Sequence, residues 1–188
     1  MARLPFVDPD AAPEPVREAL DAMPQPLGLF RMVAHASTAF RPWLRYGLVL
    51  LSELELDPLL RELVILQVAH TEGAEYEWVQ HTGIAKAVGA TDEQIAAIEA
   101  GELESPELDE RQSAVLRVAR AVVAEGAAPE DEVKALAELL GPRQMVELLL
   151  VIGQYMGVAR LVATLGLEPD PPLGAGDLRG DGSDGANQ

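Results

Sequence analysis

The sequence predicts an all-α protein, and three observations carry that expectation. No segment shows the sustained apolar–polar alternation of a half-buried strand. Apolar residues instead recur at helical spacing, in runs opened by Pro or a polar cap and closed by Gly. Aromatic residues make up only 4% of the 188 residues, so the core must be packed mainly with Ala, Leu and Val.

The elements follow in order. The segment to about residue 26 is rich in Pro and acidic residues and reads as an N-terminal extension with a short helix over 15–23. A second short helix is expected over 27–35, and a longer one over 38–54 with Ser37 as its cap. Asp57 is a good N-cap and Pro58 suits a first helical position. The run 63–66, Leu-Val-Ile-Leu, is apolar on every side, so that helix should be central. It breaks at Thr71, Glu72 and Gly73, and a second helix follows over 74–88, stopped by Gly89. Thr91 and Gln94 make a capping box for a helix over 92–100. After a loop at 101–107, helices are expected over 108–125, stopped by Gly126, and 129–140, stopped by Gly141. A last helix opens at Pro142 and runs to Leu165. Residues 27–166 thus form one domain. The segment 167–188 holds too few apolar residues to order itself and is expected to be a disordered tail.

Composition limits what the domain does. The 31 acidic and 14 basic residues give a net charge of −17, which repels phosphate backbones and anionic membranes, so neither nucleic acid nor a membrane is expected as a partner. The longest apolar stretch, 145–165, contains Glu147, Gln154 and Arg160 and reads as a buried helix rather than a span. With no cysteine there is no disulfide, no thiolate nucleophile and no thiolate metal site. The first residues lack an apolar signal core, so a cytoplasmic location is expected.

Residues 62–81, ELVILQVAHTEGAEYEWVQH, carry the chemistry. Two of the three histidines fall there, with four Glu, a Tyr and a Trp. Glu77, His81, Ile84 and Val88 share one helical stripe, with Trp78 beside them, so Glu77 and His81 belong on the inward face. On the preceding helix Glu62, Leu66 and His70 point in similar directions. A hairpin at Gly73 brings the two helices together. Buried ionisable groups need partners, and the simplest arrangement pairs Glu62 or Glu77 with His81. A carboxylate beside an imidazole fixes its tautomer, which suits general acid–base work. Tyr76 and Trp78 read as core, subunit contact or pocket wall; His70 as structural or pocket edge; Tyr46 and Tyr155 as cavity-lining candidates. His35 has no constellation around it.

The cadence RELV, GAEYEW, a following His, IAKAVGATDEQIAAI, and the final VIGQYMGVARLV resembles the carboxymuconolactone decarboxylase and alkylhydroperoxidase D-like family over roughly residues 40–165. The resemblance implies an all-α, alkylhydroperoxidase D-like helical-hairpin fold that assembles as a dimer, trimer or hexamer. In that family's peroxidase branch a Glu, a cysteine pair and a His form a relay. Glu62 matches the Glu and His81 the His; the cysteine positions are Ala74 and Glu77, and Tyr76 stands where a His is common. A relay that attacks peroxide through a thiolate is therefore excluded. What the resemblance implies instead is a cofactor-free decarboxylase, isomerase or cyclase acting on a small carboxylated or carbonyl substrate. His81 and Glu62 would be catalytic, with Glu77, Tyr76, Trp78, His70 and Tyr155 as pocket or relay candidates. Two alternatives stand beside it: a non-catalytic oligomeric scaffold, and a metal-dependent enzyme using Glu62, His70, Glu77 and His81. No standard ligand spacing supports the metal reading.

Overall fold

The computed structural model describes residues 2–23 and 26–171, and every longer element among them is an α-helix. After a single 3-10 turn at Pro9–Ala11 come α1 (Glu14–Asp21), α2 (Gly28–Val33), α3 (Ser37–Ser52), α4 (Pro58–Glu72), α5 (Glu75–Ala87), α6 (Asp92–Ala100), α7 (Glu110–Glu125) and α8 (Glu130–Leu165).

Helix α4 is the axis of the fold, as its all-round apolar sequence requires. Asp57 caps it, its Oδ1 accepting from the amides of Leu59 (2.9 Å) and Leu60 (3.1 Å). Every residue from 60 to 69 is buried, and α5, α6, α7 and α8 all pack against it. The core gathers there: Leu63, Val64, Ile65 and Leu66 meet Ile98, Val115, Leu116, Leu148 and Ile152. The α4–α5 turn needs Gly73, whose φ of 65° lies in the left-handed region that side chains disfavour. The Thr91–Gln94 capping box opens α6 as expected. A second one, Asp109–Gln112, opens α7, where the sequence reading had the helix begin near 108.

Several boundaries differ from expectation. Ser37 is the first residue of α3 and not its cap; the Ala36 carbonyl takes the first bonds, from the amides of Ala39 (2.8 Å) and Phe40 (2.9 Å). The break expected between the helices over 129–140 and from 142 onward is present: α8 is two helical segments joined at Gly141, whose φ of 75° and ψ of 165° are not helical. That conformation is open essentially to Gly alone, and Pro142 follows because a first-turn proline has no amide to lose. The expected tail 167–188 lies outside the described residues from 172 on. Its first residues are fastened to the domain: Leu167 is buried, and the Asp170 carboxylate accepts from the Gly28 amide (2.7 Å) and the Tyr76 hydroxyl (2.5 Å). Gln80 Nε2 donates to the Asp170 carbonyl at 2.8 Å.

By length and composition α8 is apolar enough to cross a membrane, yet its inner face, with Met145, Leu148, Val151, Ile152 and Tyr155, is buried in the core. Glu147 within it is engaged, accepting from the Leu56 amide (2.8 Å) and pairing with Arg143 (3.0 Å). Its outer face leaves Leu139, Val146, Leu149 and Leu150 exposed.

Candidate active site

The site sits where α4, α5 and α8 meet. Leu63 and Leu66 hold α4 in the core, and this rotation also buries Glu62, which is 0% exposed. An unpaired carboxylate there would be costly, and it has two partners. Glu62 Oε1 accepts from Arg61 Nε at 2.9 Å, and Oε2 from His81 Nδ1 at 2.8 Å. Burial alone would raise the Glu62 carboxyl, but the charges and hydrogen bonds of His81 and Arg61 outweigh it and hold it below its ordinary value. A carboxylate can only accept, so Nδ1 carries the proton of this contact. In the neutral ring Nε2 is then the lone-pair nitrogen, and it has no hydrogen-bond partner among the described residues.

Of the two carboxylates the sequence offered to His81, Glu62 is the partner. Glu77 lies one turn before His81 on the inward stripe, 3% exposed, and neither of its oxygens has a hydrogen-bond partner among the described residues. Burial pushes its carboxyl up to about 7, against the opposing influence of its own backbone amide and of His81. Tyr155 on α8 completes the group: its ring stands edge-on to the His81 ring, centroids 4.8 Å apart at 89°. Burial, with the fields of Glu62 and Glu77, pushes its phenol well above the ordinary value, against Arg61.

The other sequence candidates lie elsewhere. Tyr76 is buried, but on the side of α5 facing α2 and the C-terminal segment. Its hydroxyl donates to Asp170 and accepts from the Leu29 amide at 3.4 Å, so it is a clasp residue and not a site wall. Burial, then the Asp170 carboxylate, push its phenol above the ordinary range. His70 is exposed at the end of α4, its ring 6.4 Å from Trp78. Those two line a shallow depression of about 260 Å³ with Ala69, Gly73, Ala74, Glu75 and Glu99; Glu62, Glu77, His81 and Tyr155 do not line it. The four-residue metal reading is thereby corrected. His70 is turned away, Glu62 is committed to Arg61 and His81, and no three His, Asp or Glu among the described residues form a metal-holding group. Arg160 on α8 pairs with Glu72 at 2.8 Å and not with Glu62. Tyr46 is exposed on α3, and His35 Nε2 meets the Pro5 carbonyl at 2.7 Å. Sequence reasoning missed Asp170 and Gln80, which sit in or against a stretch whose composition carries no ordering signal.

Residues 38–121 match the carboxymuconolactone decarboxylase family. The matched stretch runs from α3 into α7 and includes Glu62, Glu77 and His81; Tyr155 lies beyond it. No curated protein matches the chain. Among solved structures, the alkylhydroperoxidase AhpD core of an uncharacterized peroxidase-related protein from Ralstonia eutropha JMP134 superposes with a TM-score of 0.76. It is 21% identical, over 90% of this chain and 92% of that one. An uncharacterized peroxidase-related protein from Silicibacter sp. TM1040 matches with a TM-score of 0.76 at 16% identity, over 90% of this chain and 92% of that one. The debrominase Bmp8, in complex with 2,3,4-tribromopyrrole, gives a TM-score of 0.74 at 14% identity, over 90% of this chain and 94% of that one. At these identities the likeness shows the fold, an all-α alkylhydroperoxidase D-like one.

Proposed function

We propose that this protein is a cofactor-free acid–base enzyme of the decarboxylase, isomerase or cyclase kind, acting on a small carboxylated or carbonyl substrate. His81 is its general acid/base and Glu62 the residue that orients it. The 2.8 Å contact between His81 Nδ1 and the buried Glu62 carboxylate carries the reading. It holds the ring in one tautomer and leaves Nε2 to take or give a proton, work worth roughly 10²–10⁴-fold in rate. The family match and the presence of a debrominase among proteins of this fold support an enzyme. With no cysteine in the chain, a thiolate relay plays no part. Copies of the chain associate, on this reading, through the exposed Val146, Leu149 and Leu150 of α8.

The test is a thermal-shift panel of small lactones, keto acids and carboxylates, followed by turnover of any compound that stabilises the fold. His81→Ala should abolish that turnover while the variant stays folded. Turnover that survives His81→Ala overturns the proposal. A second reading, a non-catalytic oligomeric scaffold, is favoured by one observation: the depression of about 260 Å³ opens beside His70 and Trp78, not beside His81. It predicts that no compound in the panel binds, and that replacing Glu62 and His81 together with apolar residues of similar volume is neutral for assembly.

A further inference from the structure

Three polar groups on the residues around the Glu62–His81 couple have no partner among the described residues. The Glu77 carboxyl oxygens are fully enclosed and unpaired. His81 Nε2 is left over once Nδ1 has bonded Glu62. The Tyr155 hydroxyl, on a ring set edge-on to His81, makes no side-chain hydrogen bond. Buried polar groups are ordinarily satisfied, and an unsatisfied cluster in one place marks a position where a ligand belongs. Two of the three are donors near neutral pH. Tyr155 is far from ionising, and burial keeps a proton on Glu77 up to about pH 7. Arg61, the arginine beside them on α4, is committed to Glu62. His81 and Tyr155 are 8% and 9% exposed, against 0% for Glu62, so their side of the couple lies nearer the surface.

We infer that the Tyr155 hydroxyl and the protonated Glu77 carboxyl form an oxyanion-binding pair for the enolate of a small carbonyl compound whose α-proton is taken by His81 Nε2. This rests on the acid–base reading above and names its substrate class: a carbonyl compound with an acidic α C–H. In the step, the C–H bond breaks and its proton goes to Nε2. The electron pair becomes the C=C of the enolate, the carbonyl π pair moves onto oxygen, and that oxygen accepts hydrogen bonds from Tyr155 and Glu77. Return of the proton from His81 to carbon completes an exchange or an isomerisation with no change in oxidation state. Donors aimed at the developing charge in an enclosed site do more than they would in water, and a phenol beside a carboxylic acid kept neutral by burial is a known form of such a pair. The groups whose charge or titration reaches Glu77 or Tyr155 are His81 and Tyr76 on α5, Glu62 and Arg61 on α4, and the two residues themselves. When Glu77 ionises it stops donating and repels the oxyanion, so activity falls as pH rises through about 7.

The experiment follows deuterium incorporation α to the carbonyl of levulinate and of cyclopentanone by NMR, in D2O with the full-length protein. The wild type should accelerate exchange over buffer, and His81→Ala should remove the acceleration. Tyr155→Phe and Glu77→Leu should each lower it on the order of 10²-fold, the loss typical of one oxyanion donor. Glu77→Gln keeps an N–H donor but cannot ionise. It should retain most of the activity, lose the decline above pH 7, and serve where Glu77→Leu does not fold. Exchange that depends on His81 but is unchanged in Tyr155→Phe and Glu77→Leu overturns the oxyanion pair and leaves the base in place. A decline above pH 7 that persists in Glu77→Gln overturns the role of Glu77. No exchange by the wild type overturns both this inference and the acid–base reading.

Discussion

Replacing Glu77 by Gln should stabilise the protein, and by an amount that depends on pH. The Glu77 carboxyl titrates at about 7 in the folded protein against 4.5 when exposed. Each unit of displacement is worth about 1.4 kcal/mol, so the folded state is penalised by about 3 kcal/mol once the group is ionised in both states. Both oxygens are enclosed, so solvent does not screen that cost. The sign follows from proton counts. Between pH 4.5 and about 7 the folded chain holds a proton that the unfolded chain has released, so wild-type stability falls with rising pH across that window and then levels. Below 4.5 there is no penalty. Gln has nearly the same shape and no charge, so Glu77→Gln should match the wild type near pH 4 and exceed it by about 3 kcal/mol at pH 8. For a chain of this size that is a rise in Tm of roughly 6–12 °C. Urea melts of both proteins from pH 4 to 8 measure it. A stability difference that stays constant across the range would show that Glu77 does not titrate in the folded site, and would remove the basis for reading it as a protonated donor.

Glu62 should behave in the opposite sense. Its carboxyl is held below the ordinary value, so its stabilisation is full above pH 4.5 and is lost as pH falls through the folded value; the acid limb of the wild-type stability curve should shrink in Glu62→Gln. Glu62→Leu leaves the Arg61 guanidinium and the His81 ring buried without their shared partner and should cost about 3–5 kcal/mol in chemical denaturation. Tyr76→Phe removes the donor to the Asp170 carboxylate, at a cost of about 1.5–3 kcal/mol, and should speed limited proteolysis near residue 170. Leu149→Glu puts a charge on the exposed apolar face of α8. Light scattering should show a smaller species than the wild type, and an unchanged mass would rule that face out as the contact.

Most of the helical layout was legible because each signal is local. Asp57 and Pro58 set the start of α4 by their own chemistry, and Gly73 and Gly141 mark turns that a side chain would strain. Of the stripe Glu77, His81, Ile84 and Val88 expected from helical spacing, the first three are buried and Val88, just past the end of α5, is half-buried. The family resemblance brought Glu62 and His81 into one site, and the structure joins them at 2.8 Å. The Asp170 clasp was invisible, because nothing in a Pro-rich acidic stretch says that one carboxylate will meet a tyrosine hydroxyl and a glycine amide from distant helices.

The choice between Glu62 and Glu77 shows where sequence ends. Within one helix, residues four apart are neighbours, so the sequence allowed Glu77 as readily as Glu62 to hold His81. Which carboxylate receives the ring depends on how α5 is rotated against α4, and that rotation is set by the core in which Leu63 and Leu66 of α4 and Ala85 of α5 pack. The sequence by itself determined that the chain is helical, where α4 and α6 begin and where the chain turns at Gly73 and Gly141, and that no thiol acts in it. Tertiary packing alone decided that Glu62 is ionised between two partners, that Glu77 is enclosed with none among the described residues, and that Tyr155 arrives from α8 to face His81. Contacts between distant elements are fixed by the shape of the whole core, which no local pattern encodes.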